Sequence, residues 1–184
     1  LPWEEIPPDR KGVMASRSFG TPLEKLEEVE EALAHHVARA SEKLRRFGLR
    51  ASRIDVFLQT NRFRAGEAQY CPAAGLNLDE PTASTSELMG QARELLHEIY
   101  RKGYRYQKTG VSLTGLVRAE AVQGCLDLDG VRKAKREVDA IVDRINQRLG
   151  DRKNPVITRG SMGSKRSPQR WRMKSGQRSP AYTT

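Results

Sequence analysis

Residues 50–61 read RASRIDVFLQTN, and their alternation decides the fold class. Ile54, Val56, Leu58 and Thr60 fall on one side of an extended chain, and Arg53, Asp55, Phe57, Gln59 and Asn61 fall on the other. Such a strand packs one face and leaves the other polar, as in an antiparallel sheet covered on one side. Upstream the apolar period changes to three- and four-residue steps. Leu23, Leu26, Val29, Leu33, Val37, Ala40, Leu44 and Phe47 form the stripe of a helix. Thr21 with Glu24 three residues later reads as a capping box, Pro22 as a first-turn residue, and Gly48 as the stop. Before that helix, VMASRSF at 13–19 predicts a short strand ending at Gly20. Downstream, a connection through 61–66 leads to a strand within 69–78, expected to pair antiparallel with its predecessor. Residues 82–86 cap a second helix that buries Leu88, Ala92, Leu95, Leu96 and Ile99 and closes at Gly103. A fourth strand is expected over 104–117, with Gly110 marking a bulge or a close backbone approach. The order β-α-β-β-α-β is an α+β domain: a four-stranded sheet with two helices on one face, the other face open.

The rest of the chain frames this domain, which is assigned to 12–118. Residues 1–11, LPWEEIPPDRK, read as an extended linker because of their three prolines. Residues 119–130 form a second connection. A third helix is expected over 131–149, with Val131, Ala134, Val138, Ile141, Val142, Ile145 and Leu149 on its apolar stripe. It opens a C-terminal extension, 131–184, whose tail is rich in Gly, Ser, Pro and basic residues and needs a partner to become ordered. The start at Leu1 rather than Met suggests a piece of a longer protein.

Lys and Arg number 33 against 23 Asp and Glu, a net charge of +10, which favours polyanionic partners through counterion release. The charge is uneven: acids crowd 24–31, and the chain from Arg152 onward carries basic residues and no acid. Two isolated cysteines, Cys71 and Cys125, suit a reducing, cytoplasmic compartment and no disulfide scaffold. No stretch approaches the roughly 20 apolar residues of a membrane span, and the start has no signal-peptide pattern.

Catalytic and metal-binding constellations are not expected. Glu4 and Glu5 form a linker pair, Glu27, Glu28, Glu30 and Glu31 a solvated helix face, and Asp127 and Asp129 part of a loop. His35 and His36 are neighbours on a helix, about 100° apart, so they cannot chelate one ion in the i, i+4 manner. Neither cysteine has a nearby histidine–acid pair to make it a nucleophile.

Four stretches together resemble the UmuC branch of the Y-family translesion DNA polymerases: SRSFG at 16–20, FLQTNRF at 57–63, GYRYQKTGVSL at 103–113 and WRMKSGQRSPAYTT at 171–184. The resemblance implies that the α+β domain is a little finger, laying its open sheet face across the DNA major groove. It also implies a C-terminal extension beyond it. The metal-binding palm would lie upstream of Leu1, so this chain carries no catalytic residue and no cofactor of its own; the Mg²⁺ ions would belong to the parent polymerase in error-prone, SOS-type repair. Implied partners are damaged or primer–template DNA, a sliding clamp, a UmuD-like dimer and RecA.

For DNA, the Ser16 and Ser18 hydroxyls, the Arg17 cation and the main-chain N–H groups near Gly20 are natural phosphate donors. On the resemblance, their strand touches the template backbone. Arg53, Gln59, Asn61 and Arg62 extend the polar face, joined by Arg105, Gln107 and Lys108. Tyr104 and Tyr106 flank these; each either packs in the core or donates to phosphate. For the clamp, Gln123, Leu126 and Leu128 stand where the family carries its docking peptide, but Asp129 replaces the aromatic anchor on which such docking leans. Two other classes remain open: a free-standing single-stranded RNA- or DNA-binding module of ferredoxin-like topology, and a protein-interaction adaptor. An RRM-type module would show stacking aromatics on its two central strands.

Overall fold

The computed structural model describes residues 11–64, 66–119, 129–150 and 157. Its elements are β1 (Gly12–Leu23), α1 (Leu26–Arg46), β2 (Leu49–Thr60), β3 (Ala73–Thr82), α2 (Thr85–Ile99), β4 (Tyr106–Arg118) and α3 (Asp129–Leu149). The four strands order β1-β4-β2-β3, and every neighbouring pair is antiparallel. The α+β architecture read from the sequence is therefore present, and β3 pairs antiparallel with β2 as expected. Each helix joins two parallel strands that are not neighbours, β1 to β2 across β4 and β3 to β4 across β2, a split β-α-β arrangement.

The alternation of residues 50–61 is realised in β2. Ala51, Ile54, Val56 and Leu58 are fully buried beneath the helices, while Arg53, Asp55, Phe57 and Gln59 are only half-buried on the other side. Val111 and Leu113 of β4 and Val13 of β1 complete the inner face. Above them lie Val29, Leu33, Val37, Ala40 and Leu44 of α1 with Leu88, Leu95 and Leu96 of α2, all in one core. Each Val and Leu among them contributes about 1.5–3 kcal/mol by leaving water. Both helices pack on this side, so among the described residues the opposite face is uncovered.

The capping box at Thr21 does not form. β1 runs on to Leu23, which pairs with Tyr106 across an irregularity in the ladder and is 1% exposed. Burying Leu23 and Tyr106 outweighs a side-chain cap, which is typically worth about 1 kcal/mol; α1 starts at Leu26 with Lys25 as an N-cap that makes no side-chain bond. Gly48 does stop α1, at φ 63°. Helix α2 ends at Ile99, so Gly103 turns the following loop instead of closing the helix. β3 begins at Ala73, inside the expected 69–78 window, and runs past it to Thr82; residues 69–72 belong to the loop, although the Tyr70 and Pro72 carbonyls still accept from β2. β4 begins at Tyr106, two residues later than expected.

Helix α3 departs further from expectation. Its stripe does not enter a core: Val138, Ile141 and Leu149 are 51%, 54% and 73% exposed, whereas Asp139 is buried. Residues 1–10, most of 119–130 (with Cys125 and the clamp peptide Gln123, Leu126 and Leu128) and nearly all of the tail lie outside the described residues. No helix among the described residues is long and apolar enough to cross a membrane.

Candidate nucleic-acid interface

Antiparallel register sets the residues of the uncovered face in rows. Ser18, Lys108 and Gln59 form one row, and Ser16, Gly110, Phe57 and Ala73 the next. Met14, Ser112, Asp55 and Gly75 follow, then Gly12, Thr114, Arg53 and Asn77. Hydroxyls and amides dominate, with one large apolar ring at the centre.

Gly110 makes that centre possible. A Cβ there would stand 2.6 Å from Cζ of Phe57 and would also strike Ser16, so only glycine lets the two side chains meet over β4. The close approach read from the sequence is real, whereas the ladder irregularity falls beside Gln107 instead. Lys108 reaches over the Phe57 ring, its Nζ 5.7 Å from the centroid, a cation–π placement that holds the ammonium above the sheet.

Arg53 is less available. Its Nε and Nη2 donate to Asp55 at 3.0 and 2.7 Å, and Nη1 to Asn77 Oδ1 at 3.3 Å. The bond to Asp55 raises the guanidinium pKa further above its ordinary value. Gly75 leaves the space that the Asp55 carboxylate occupies. The middle of the face is thus polar but locally neutral.

The remaining expected contacts divide. Ser16 and Ser18 share the open face with Gln59 and Lys108, but Arg17 stands on the opposite side of β1, close enough to His36 of α1 to oppose its protonation. Gly20 is exposed in the last third of β1. Asn61 shapes the β2–β3 loop: its Oδ1 accepts from Phe63 N–H at 3.0 Å and its carbonyl from Gln69 Nε2 at 3.0 Å. Arg62 is exposed in the same turn. Arg105 pairs with Glu67 at 2.8 Å and Glu24 at 3.3 Å, and Glu67 also holds Arg64 at 2.8 Å. The hydrogen bond from Arg64, with the charges of both arginines, lowers the Glu67 pKa. Gln107 is turned to the Phe19 carbonyl at 2.7 Å. The tyrosines serve the core: Tyr106 is fully buried with its hydroxyl donating to the Arg101 carbonyl, and Tyr104 stacks on Tyr70 at 4.7 Å.

Ser112, Thr114 and Met14 were not singled out from the sequence, yet they extend the face. The signal was available: counting by twos from Lys108 reaches Gly110, Ser112 and Thr114. Phe57 is the one aromatic that the two central strands present on the open side, so the paired stacking platform of an RRM is absent there. Among the described residues no group of three or more His, Cys, Asp or Glu could hold a metal ion.

Comparison with known proteins adds an independent line. Residues 10–126 match the impB/mucB/samB family C-terminal domain, and residues 136–184 match a domain of unknown function, DUF4113. UmuC of Salmonella typhimurium is 32% identical over 185 residues, covering 100% of this chain and 42% of that protein. The chain thus spans about two fifths of the relative it matches. Among solved structures it is similar to the insertion ternary complex of Dbh DNA polymerase, with a TM-score of 0.49 and 15% identity over 58% of this chain and 29% of that one. It is also similar to the little finger domain of PolIV in complex with the beta-clamp processivity factor, with a TM-score of 0.41 and 21% identity over 64% and 99% of the two chains. The chain therefore belongs to the impB/mucB/samB family, whose C-terminal domain it carries in residues 10–126.

Proposed function

We propose that this chain is the DNA-gripping part of a lesion-bypass DNA polymerase of the UmuC type, a little finger that holds primer–template duplex by its phosphates. The observation that carries this reading is the uncovered sheet face, where Ser16, Ser18, Ser112 and Thr114 hydroxyls and the Lys108 ammonium line up on two adjacent strands. Such groups position a backbone without reading bases, which suits an enzyme that must accept misshapen template bases. Family membership supports the same reading. Polymerase chemistry, with its carboxylate-held Mg²⁺ ions, is assigned to other parts of the parent protein. The clamp peptide around Gln123 and Leu126 is a secondary element of the proposal; equal clamp affinity in the double alanine variant would remove it.

The test is duplex affinity followed by fluorescence anisotropy across a salt series. Affinity should fall with salt, and Lys108→Ala should weaken binding on all sequences alike and flatten the log–log slope by about 1. A salt-independent affinity, or a preference for RNA over duplex DNA, would contradict the proposal.

A further inference from the structure

Helix α3 meets the rest of the molecule through charge. Arg45 of α1 donates from Nε and Nη2 to Asp143 at 2.6 and 2.8 Å, and from Nη1 to the Ala83 carbonyl and Thr85 Oγ1, both at 2.8 Å. Asp139 accepts from the Thr85 backbone N–H at 3.3 Å, and Lys135 pairs with Glu87 at 3.4 Å. Positions 135, 139 and 143 share one helical face. The apolar stripe lies roughly 100° further round, with Val138, Ile141 and Leu149 exposed and Val142 and Ile145 half-buried. A stripe of this kind, repeated over three turns, has no stabilising role in water; something covers it.

Two observations identify the cover. Asn146, on the charged face between the angular positions of Lys135 and Asp139 and one turn on from Val142, donates from Nδ2 to the Ile157 carbonyl at 2.9 Å and accepts the Ile157 N–H on Oδ1 at 2.8 Å. One side-chain amide thus meets both backbone groups of one residue, as a neighbouring strand would. By Ile157 the chain is therefore beside the helix again, at Asn146. Further, the second family match runs from residue 136 to residue 184, joining most of α3 to the end of the chain as one recurring unit. The sequence beyond Ile157 supplies the apolar groups needed: Met162, Trp171, Met173 and Tyr182.

We propose that residues 158–184 pack along the Val138, Ile141, Ile145 and Leu149 stripe, with Trp171 as the main anchor. Helix and C-terminal segment then form a small second unit, tied to the sheet domain by Arg45. This stands apart from the DNA-binding reading and does not depend on it.

The full chain carrying Trp3→Phe retains Trp171 as its one tryptophan. Its emission should be blue-shifted from the urea-unfolded value and several-fold less quenched by acrylamide. Ile141→Gln with Ile145→Gln should return both readings to exposed values. In the otherwise unchanged chain, Trp171→Ala should speed amide exchange over residues 138–149 by about tenfold while β2 and β4 amides hold steady. A solvent-like Trp171, or exchange unaffected by its removal, would overturn the proposal. So would protection that vanishes on dilution, which would make a second copy the cover.

Discussion

Gly110 and His36 are single residues on which opposite faces of the sheet depend. At Gly110 the missing side chain lets Phe57 and Ser16 close over β4. Gly110→Ala should therefore cost about 1–3 kcal/mol through overpacking, measured by urea unfolding, and Phe57→Ala in the same chain should recover part of it. This requirement was legible, because glycine inside a strand pattern marks a close approach. His36 is different. It is buried on α1 with Nε2 lacking a hydrogen-bond partner among the described residues, and burial, then the charges of His35, Arg39 and Arg17, lower its pKa from 6.5 to about 4. The unfolded chain takes up this proton near pH 6.5 and the folded chain only near 4. Stability should thus be complete above that window and fall as the pH drops through it, by on the order of 3 kcal/mol in total. His36→Leu should flatten that slope in urea titrations run between pH 4 and 7. The sequence showed a histidine on a helix but could not show that Arg17, two strand positions from Ala15, would face it. The alternation within SRS in fact forbids Arg17 from sharing a face with Ser16 and Ser18.

Among the elements, long periodic segments were readable and their ends were not. Helix α1 and strand β2 follow from period alone. The start of α1 did not, because Thr21 and Glu24 make a sound local cap while the pairing of Leu23 with Tyr106 is distant in sequence. The stripe on α3 was equally visible, but a period says that a face is apolar, not which element covers it. Docking of α3 hangs on Arg45, whose fork engages Asp143 with two bonds and two further acceptors at the start of α2. Arg45→Ala should lower the opening free energy of α3 by about 2 kcal/mol, read as roughly thirty-fold faster amide exchange over 134–149. Arg45→Lys should restore little of it, since an ammonium cannot make the planar two-point contact.

At the scale of the molecule, the helices and the open sheet face divide the work. Acids crowd α1 on the packed side, with Glu94 and Glu98 exposed on α2, while the open side offers hydroxyls, amides and Lys108. That division was expected from the alternation in β2 and the order of elements. Its electrostatic detail was not, because Arg53 and Arg105 lose their freedom to Asp55, Glu67 and Glu24 only once the chain is folded. The surface is less positive than a count of its arginines suggests, and the proposed grip would rest on neutral donors beside Lys108. Replacing Ser16 and Ser18 by Asp should accordingly weaken duplex binding more than Lys108→Ala does, since it adds repulsion as well as removing donors; parallel anisotropy titrations would measure this. The most direct test is a backbone-amide NMR titration of the chain with a short primer–template duplex. Shifts should concentrate at Ser16, Ser18, Gln59, Lys108, Ser112 and Thr114 and spare Glu27, Glu94 and Glu98. Shifts confined to the helices, or none at a saturating duplex concentration, would contradict the account.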